Sequence, residues 1–201
     1  MRLGVFGGTF DPVHVGHLVA AVNVRHVLGL DEVLLVVANE PWQKVGGRVV
    51  TDASDRLAVA RAAVGDVPGV EASGIEIERG GLSYTADTLG ALAGLHPGAD
   101  LVLVIGADVA SQLDTWERVD EIRALARLAV VTRPGSPVRT LPEGWPADVV
   151  EVPALEVSST DLRARVADGR PLDYLVPEAA MREMRRRGLY RGDRMGPRAD
   201  G

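Results

Sequence analysis

The sequence predicts an α/β fold built on a mostly parallel sheet with helices on both faces. Three observations lead there. Short apolar, β-rich runs recur along the chain, stretches with helical periodicity separate them, and the strand candidates are apolar at successive positions, as in Leu101-Val-Leu-Val-Ile105. A strand that is apolar throughout is covered on both faces, and strands alternating with helices make parallel crossovers. In such sheets ligands bind beyond the carboxyl ends of the strands, at the point where the strand order reverses.

The strand candidates are residues 3–6, 33–38, 71–77, 101–105, 128–132 and 149–152. The first helix, 15–28, is predicted by Val15, Leu18, Val19 and Val22 at i, i+3, i+4 and i+7, one face of a 3.6-residue period. Helical patterns follow at 53–64, 85–95, 117–125, 159–166 and 177–187, the last two forming a small C-terminal helical part. Between strands two and three, residues 39–51 with Gly46-Gly47 form a loop expected to be mobile, and residues 133–146 form a proline-rich loop. No repeat divides the chain, so one domain is expected over residues 1–190, with 191–201 as a frayed tail.

Composition narrows the function classes. With 46% hydrophobic and 25% charged residues the chain has an ordinary globular composition. The absence of cysteine excludes disulfides and thiolate metal sites but leaves Mg²⁺ held by carboxylates or phosphates open. Met1-Arg2 leads directly into the first apolar run, and the longest such run is too short to cross a bilayer. A cytoplasmic protein without membrane contact is therefore expected. A net charge of −6 argues against a general nucleic-acid binder. The seven arginines at positions 182–201 are read as a basic helix end and tail, since no aromatic platform accompanies them.

The chemistry concentrates in Gly7-Gly-Thr-Phe-Asp-Pro-Val-His-Val-Gly-His17. A glycine-rich turn from a strand into a helix exposes unpaired backbone N–H groups at the positive end of the helix dipole, which attracts anions. Two of the chain's four histidines, His14 and His17, fall on that first turn, where their rings add donors. Gly16 leaves room for a ligand to approach. The combination predicts a phosphate site. Thr9 and Asp11 also suit a simple cap or turn, and His26 and His96 are read as ordinary surface or core residues.

Other motifs carry two readings each. Asp108 follows the strand 101–105 with Gly106 between, which suits a ribose hydroxyl or a Mg²⁺-bound water, or equally a helix cap. Trp116, one of three tryptophans, lies at a helix start and reads on its own as a core anchor. Tyr84-Thr85 precede a helix whose first N–H groups fit a planar carboxylate. Ser158-Ser-Thr-Asp161 has the form of a capping box, whose hydroxyls and N–H groups also suit phosphate, with Arg163 placed to add charge. Lys44 is the single lysine against twenty-one arginines, which suggests a task for a compact ammonium. Arg56 fits a solvated helix face.

Taken together, the motif at 7–17 resembles the signature of the HxGH nucleotidyltransferase superfamily. With Ser83-Tyr-Thr-Ala-Asp-Thr-Leu89, Ile105-Gly-Ala-Asp108, Leu113-x-x-Trp116, Arg133-Pro-Gly135 and Val157-Ser-Ser-Thr-x-Leu-Arg163 in order, the chain is similar to bacterial nicotinate-nucleotide adenylyltransferases from Leu3 to about Tyr190. It departs from them at Pro41-Trp-Gln-Lys44, where relatives have Pro-His-Lys or similar, and Arg56 matches an arginine in the next helix of relatives.

The resemblance implies a Rossmann-like nucleotidyltransferase fold and the reaction of ATP with nicotinate mononucleotide to give nicotinate adenine dinucleotide and pyrophosphate. It implies catalytic roles for His14, His17, Lys44 and Arg163. ATP would contact Gly7, Gly8, Thr9, Phe10, His14, His17, Gly106, Asp108, Arg133, Ser158, Ser159, Thr160 and Arg163. The mononucleotide would contact Thr9, Lys44, Tyr84, Thr85, Asp108 and Trp116, with Trp116 stacking on the pyridine ring and the Thr85 turn taking the carboxylate. Mg²⁺ would enter mainly on the ATP phosphates, with positive charge from both histidines, Lys44 and Arg163. Alternatives are a preference for the amidated mononucleotide, a pantetheine-phosphate adenylyltransferase, or a nucleotide sensor without catalysis. A homo-oligomer is compatible with all of them.

Overall fold

In a computed structural model the described residues are 1–41, 50–135, 141 and 144–191. Six strands form one sheet in the order β3-β2-β1-β4-β5-β6. They are β1 (Arg2–Gly8), β2 (Glu32–Val37), β3 (Val70–Ser73), β4 (Asp100–Gly106), β5 (Ala126–Thr132) and β6 (Ala147–Glu151), and every pairing is parallel. The chain builds outward from β1 to β3 on one side, then returns to the centre at β4 and builds outward to β6. The switch point lies between β1 and β4, and their carboxyl ends, Gly8 and Gly106, open the crevice there.

Side chains alternate across the sheet into two apolar layers. Val33, Leu35 and Val37 of β2 face one layer, while Leu34 and Val36 face the other. The first layer is closed by α1 (Val15–Leu28), α2 (Ala53–Val64), α7 (Ser159–Asp168) and α8 (Glu178–Arg187), which contribute Val24, Val59, Leu162 and Met184. The second is closed by α4 (Thr85–Leu95) and α6 (Val119–Leu125) through Leu89, Leu92 and Ile122. Both faces of every central strand are therefore removed from water, which is why these strands need no polar positions.

Three helices agree with expectation to the residue: 15–28, 53–64 and 85–95. The strand expected over 71–77 does not extend that far. It stops at Ser73, whose hydroxyl accepts the Ile75 N–H at 3.3 Å, and α3 (Ile75–Arg79) follows. Its turn is closed by Glu78 N–H to the Gly74 carbonyl at 2.9 Å. The alternating Ile75, Glu76, Ile77 pattern mimics a strand, but Gly74 breaks the extended run and Glu76 is drawn inward to a bond from the Thr88 hydroxyl at 2.5 Å. Two short elements were also not expected after β4, namely α5 (Ala107–Ala110) and a 3₁₀ turn at Leu113–Thr115. Consequently Trp116 does not begin a helix. It leaves the 3₁₀ turn in extended conformation, and α6 starts only at Val119.

Candidate active site

The turn after β1 organises the site. A Cβ on Gly8 would lie 2.7 Å from the Phe10 ring, so only glycine lets the chain double back there. Phe10 itself has φ 47° and is almost fully buried, with its ring edge-on to Phe6 at 5.9 Å and to His17 at 4.9 Å between centroids. Phe10 is thus a support for the histidines, and only its backbone is available to a nucleotide.

His14 is the N-cap of α1 and His17 its third residue, so one helical turn stacks their rings. The centroids are 3.7 Å apart with the planes inclined by 25°. The His14 backbone N–H donates to His17 Nδ1 at 3.2 Å. An accepting Nδ1 leaves the His17 proton on Nε2, so the ring is a neutral donor on that side. Burial lowers the His14 pKa to about 4, helped by the nearby Arg133 guanidinium. Burial also lowers His17 to about 3, helped by His14. The resemblance implies that both rings supply positive charge; in the ligand-free protein their lowered pKa values leave them neutral at pH 7. His14 Nδ1 is buried with no hydrogen-bond partner among the described residues.

Gly16 also has a different role from the one expected. A Cβ there would approach Val157 Cγ1 at 3.0 Å and His14 Nδ1 at 3.1 Å. Its small size admits the His14 ring and the segment before α7.

That segment brings the third part of the site. Ser158 caps α7 by accepting the Asp161 N–H at 3.2 Å, the structural role its motif predicts. Ser159 donates its hydroxyl to the Pro12 carbonyl at 2.9 Å. Arg163 donates to the Asp11 carbonyl at 2.6 Å and to the Thr160 hydroxyl at 3.2 Å. The start of α7 and the histidine turn are therefore joined, with two helix N-termini and a guanidinium converging. Arg133, exposed at the end of β5, completes this cationic side.

On the other side of the Gly7–Thr9 turn opens a cleft of about 250 Å³. Its lining includes Thr9, Tyr84, Thr85, Gly106 and Trp116. No side chain caps α4, so its first N–H groups face this space at Thr85. Trp116 presents a half-buried ring whose Nε1 has no partner among the described residues. Asp108 is exposed on α5, with its carboxylate folded over Gly106, where a Cβ would sit 2.5 Å from Oδ1.

The described residues thus bring the predicted set together in two groups that share the Gly7–Thr9 turn. Lys44 and most of the loop 39–51 lie outside the described residues, and no group of three side chains suited to hold a metal occurs among those described. Four residues of the site carried no such signal in the sequence. Asp11, 1% exposed, accepts the Tyr190 hydroxyl at 2.9 Å, so the chain's last described turn reaches the histidine loop. Burial and the facing Asp11 carboxylate hold the Tyr190 hydroxyl well above its usual range. Glu76 lines the cleft. Arg56, read as a solvated helix residue, is 1% exposed. The hints available for Arg56 were its match to an arginine of relatives and its place on an otherwise apolar helical face.

Comparison with known proteins agrees with this arrangement. Residues 5–165 match the cytidylyltransferase-like family. A protein of Streptomyces coelicolor named as a probable nicotinate-nucleotide adenylyltransferase is 48% identical over 93% of this chain and 100% of its own length. One of the same name from Saccharopolyspora erythraea is 44% identical over 100% of this chain and 97% of its own length. The solved structure of Plasmodium falciparum nicotinic acid mononucleotide adenylyltransferase complexed with NaAD superposes with a TM-score of 0.75 at 15% identity, covering 94% of this chain and 97% of that one, a likeness of fold. In sequence along its whole length, and in fold, the chain belongs to the nicotinate-nucleotide adenylyltransferases of the cytidylyltransferase-like family.

Proposed function

We propose that this chain transfers the adenylyl group of ATP to nicotinate mononucleotide, yielding nicotinate adenine dinucleotide and pyrophosphate in NAD biosynthesis. The observation that carries the reading is the shared Gly7–Thr9 turn, with the stacked histidines and the α7 start on one side and the Tyr84–Thr85–Trp116 cleft on the other. Two ligands bound in these halves would meet at that turn.

A mononucleotide 5′-phosphate oxygen attacks the α-phosphorus of ATP in line, the new P–O bond forms as the α–β bridge breaks, and pyrophosphate leaves with the bond's electron pair. The attacking phosphate is already anionic at pH 7, so no general base is needed, and positioning with charge stabilisation does the catalysis. His17 Nε2–H and the α1 N-terminus donate to the phosphate around the point of attack. Arg163, Arg133 and the capped start of α7 face the outer phosphates. Lys44 would add an ammonium on the mononucleotide side.

Mg²⁺ fits this donor set as an ion carried by the ATP phosphates, with Asp108 as the carboxylate available to its water shell. It would neutralise charge on the departing pyrophosphate. Thr85 and the following N–H groups suit a carboxylate on the pyridine, with Trp116 stacked on the ring. The test is direct: incubating the purified chain with ATP, Mg²⁺ and nicotinate mononucleotide should release pyrophosphate and form the dinucleotide in equal amounts. Binding of both nucleotides without pyrophosphate would reveal a sensor instead.

A further inference from the structure

We propose that Arg56 is a positioning residue for the mononucleotide half of the site, an inference that rests on the function proposed above. Arg56 sits on the first turn of α2, almost wholly removed from water, and spreads its guanidinium over three separate segments. Nη1 donates to the Thr9 carbonyl at 2.8 Å, Nη2 to the Asn39 carbonyl at 3.0 Å and Nε to the Thr51 carbonyl at 2.7 Å. Thr9 ends the anion-binding turn, and Asn39 and Thr51 are the two ends of the segment that leaves and rejoins the fold beside the cleft.

The chain of bonds continues past Asn39. Its backbone N–H donates to Ser83 Oγ at 2.9 Å and its side-chain amide donates to the Gly81 carbonyl at 2.9 Å. The Ser83 N–H in turn donates to the Glu40 carbonyl at 3.0 Å. Ser83 is followed by Tyr84 and Thr85, the cleft wall proposed to receive the pyridine. One guanidinium therefore sets the distance between the phosphate turn and the pyridine wall.

Stability alone explains this residue poorly. A buried guanidinium is costly to desolvate, and an apolar side chain of similar volume is often as stabilising. What an apolar side chain cannot do is hold three carbonyls of three segments in one plane. Lysine cannot do it either, because its donors radiate from one atom where arginine's are spread across a planar fork. Carbonyls left without this donor reorient, and the walls they belong to move with them.

The experiment compares the full-length wild type with Arg56→Lys and Arg56→Met. Wild-type turnover of nicotinate mononucleotide tests the proposed function; the variants test Arg56, so the two can fail separately. For Arg56→Lys we expect KM for the mononucleotide to rise about fivefold or more, with KM for ATP and kcat each within about threefold. In the ligand-free protein, a readout that needs no turnover, amide exchange at Ser83 and at Asn39 should accelerate about tenfold or more while β4 amides are unchanged. Arg56→Met should show the same split, larger. Unchanged KM values with only a lower melting temperature would overturn the proposal, as would an equal rise for both substrates or unchanged exchange at Ser83 and Asn39. If neither variant folds, Arg56 serves global stability and the proposal fails.

Discussion

The imidazoles of His14 and His17 lie ring on ring, 3.7 Å between centroids, and the His14 backbone N–H holds the His17 ring by its Nδ1. Two rings so close, one on the other and partly withdrawn from water, cannot both carry charge at low cost. In the ligand-free protein they are neutral rings whose direction is fixed by the helix that presents them. Negative charge arriving on a phosphate is what would make protonation favourable.

The pH dependence of stability follows from this. Both folded-state pKa values, about 4 for His14 and about 3 for His17, lie below the ordinary 6.5. Between pH 6.5 and 4 the unfolded chain binds protons that the native protein does not, so stability falls as pH falls through that window. The loss levels off below the folded values, where the native rings protonate too. Urea unfolding at pH 7.5 and pH 5 should show a drop for the wild type that is smaller in His17→Gln. Equal drops would mean that His17 titrates normally in the folded protein.

Removing the donor itself should cost the chemical step. His17→Ala is expected to lower kcat by about 10²-fold or more, the usual cost of one transition-state donor. Its circular dichroism should remain that of the wild type, since α1 keeps its N-cap residue and its apolar face. A variant turning over within a few-fold of wild type would show that the histidine pair supports the fold and not the reaction.

The pyridine wall gives a contrasting pair of variants. The donors at the start of α4 are backbone groups, so Thr85→Ala should retain most of the preference for the acid substrate. Trp116→Ala removes the stacking surface and should weaken nicotinate and nicotinamide mononucleotides alike, by about 1 kcal/mol. Titration calorimetry with each mononucleotide checks both. Loss of acid preference in Thr85→Ala would shift recognition from the backbone to the hydroxyl.

Much of this was legible in the sequence because each signal was local. The helix at 15–28 follows from the spacing of Val15, Leu18, Val19 and Val22, and the phosphate turn from glycines directly before it. The sheet's switch point follows from strand and helix alternation. What stayed hidden depends on residues distant in the chain. Glu76 sat in an alternating run that mimics a strand, and only its bond from Thr88 shows why the chain turns inward there. Tyr190 gave no sign of reaching Asp11, since the two are 179 residues apart. Arg56 fits a solvated helix face equally well in sequence, and only its three carbonyl partners show that it is buried. The neutrality of the ligand-free histidines stayed hidden for a related reason: burial lowers both pKa values, and part of the packing around the pair comes from Val157, far along the chain.

The cleft beside the histidine turn is proposed to receive a pyridine carboxylate. Nicotinate and nicotinamide mononucleotides have nearly the same shape, so sterics discriminate little between them. A turn offering only N–H donors pairs with both carboxylate oxygens but sets a donor against the amide NH₂, a mismatch of about 1–3 kcal/mol. The most direct measurement is kcat/KM for the two mononucleotides, side by side, at saturating ATP. The acid should be favoured by about tenfold or more, equivalent to about 1.4 kcal/mol. Equal efficiencies, or a preference for the amide, would contradict it.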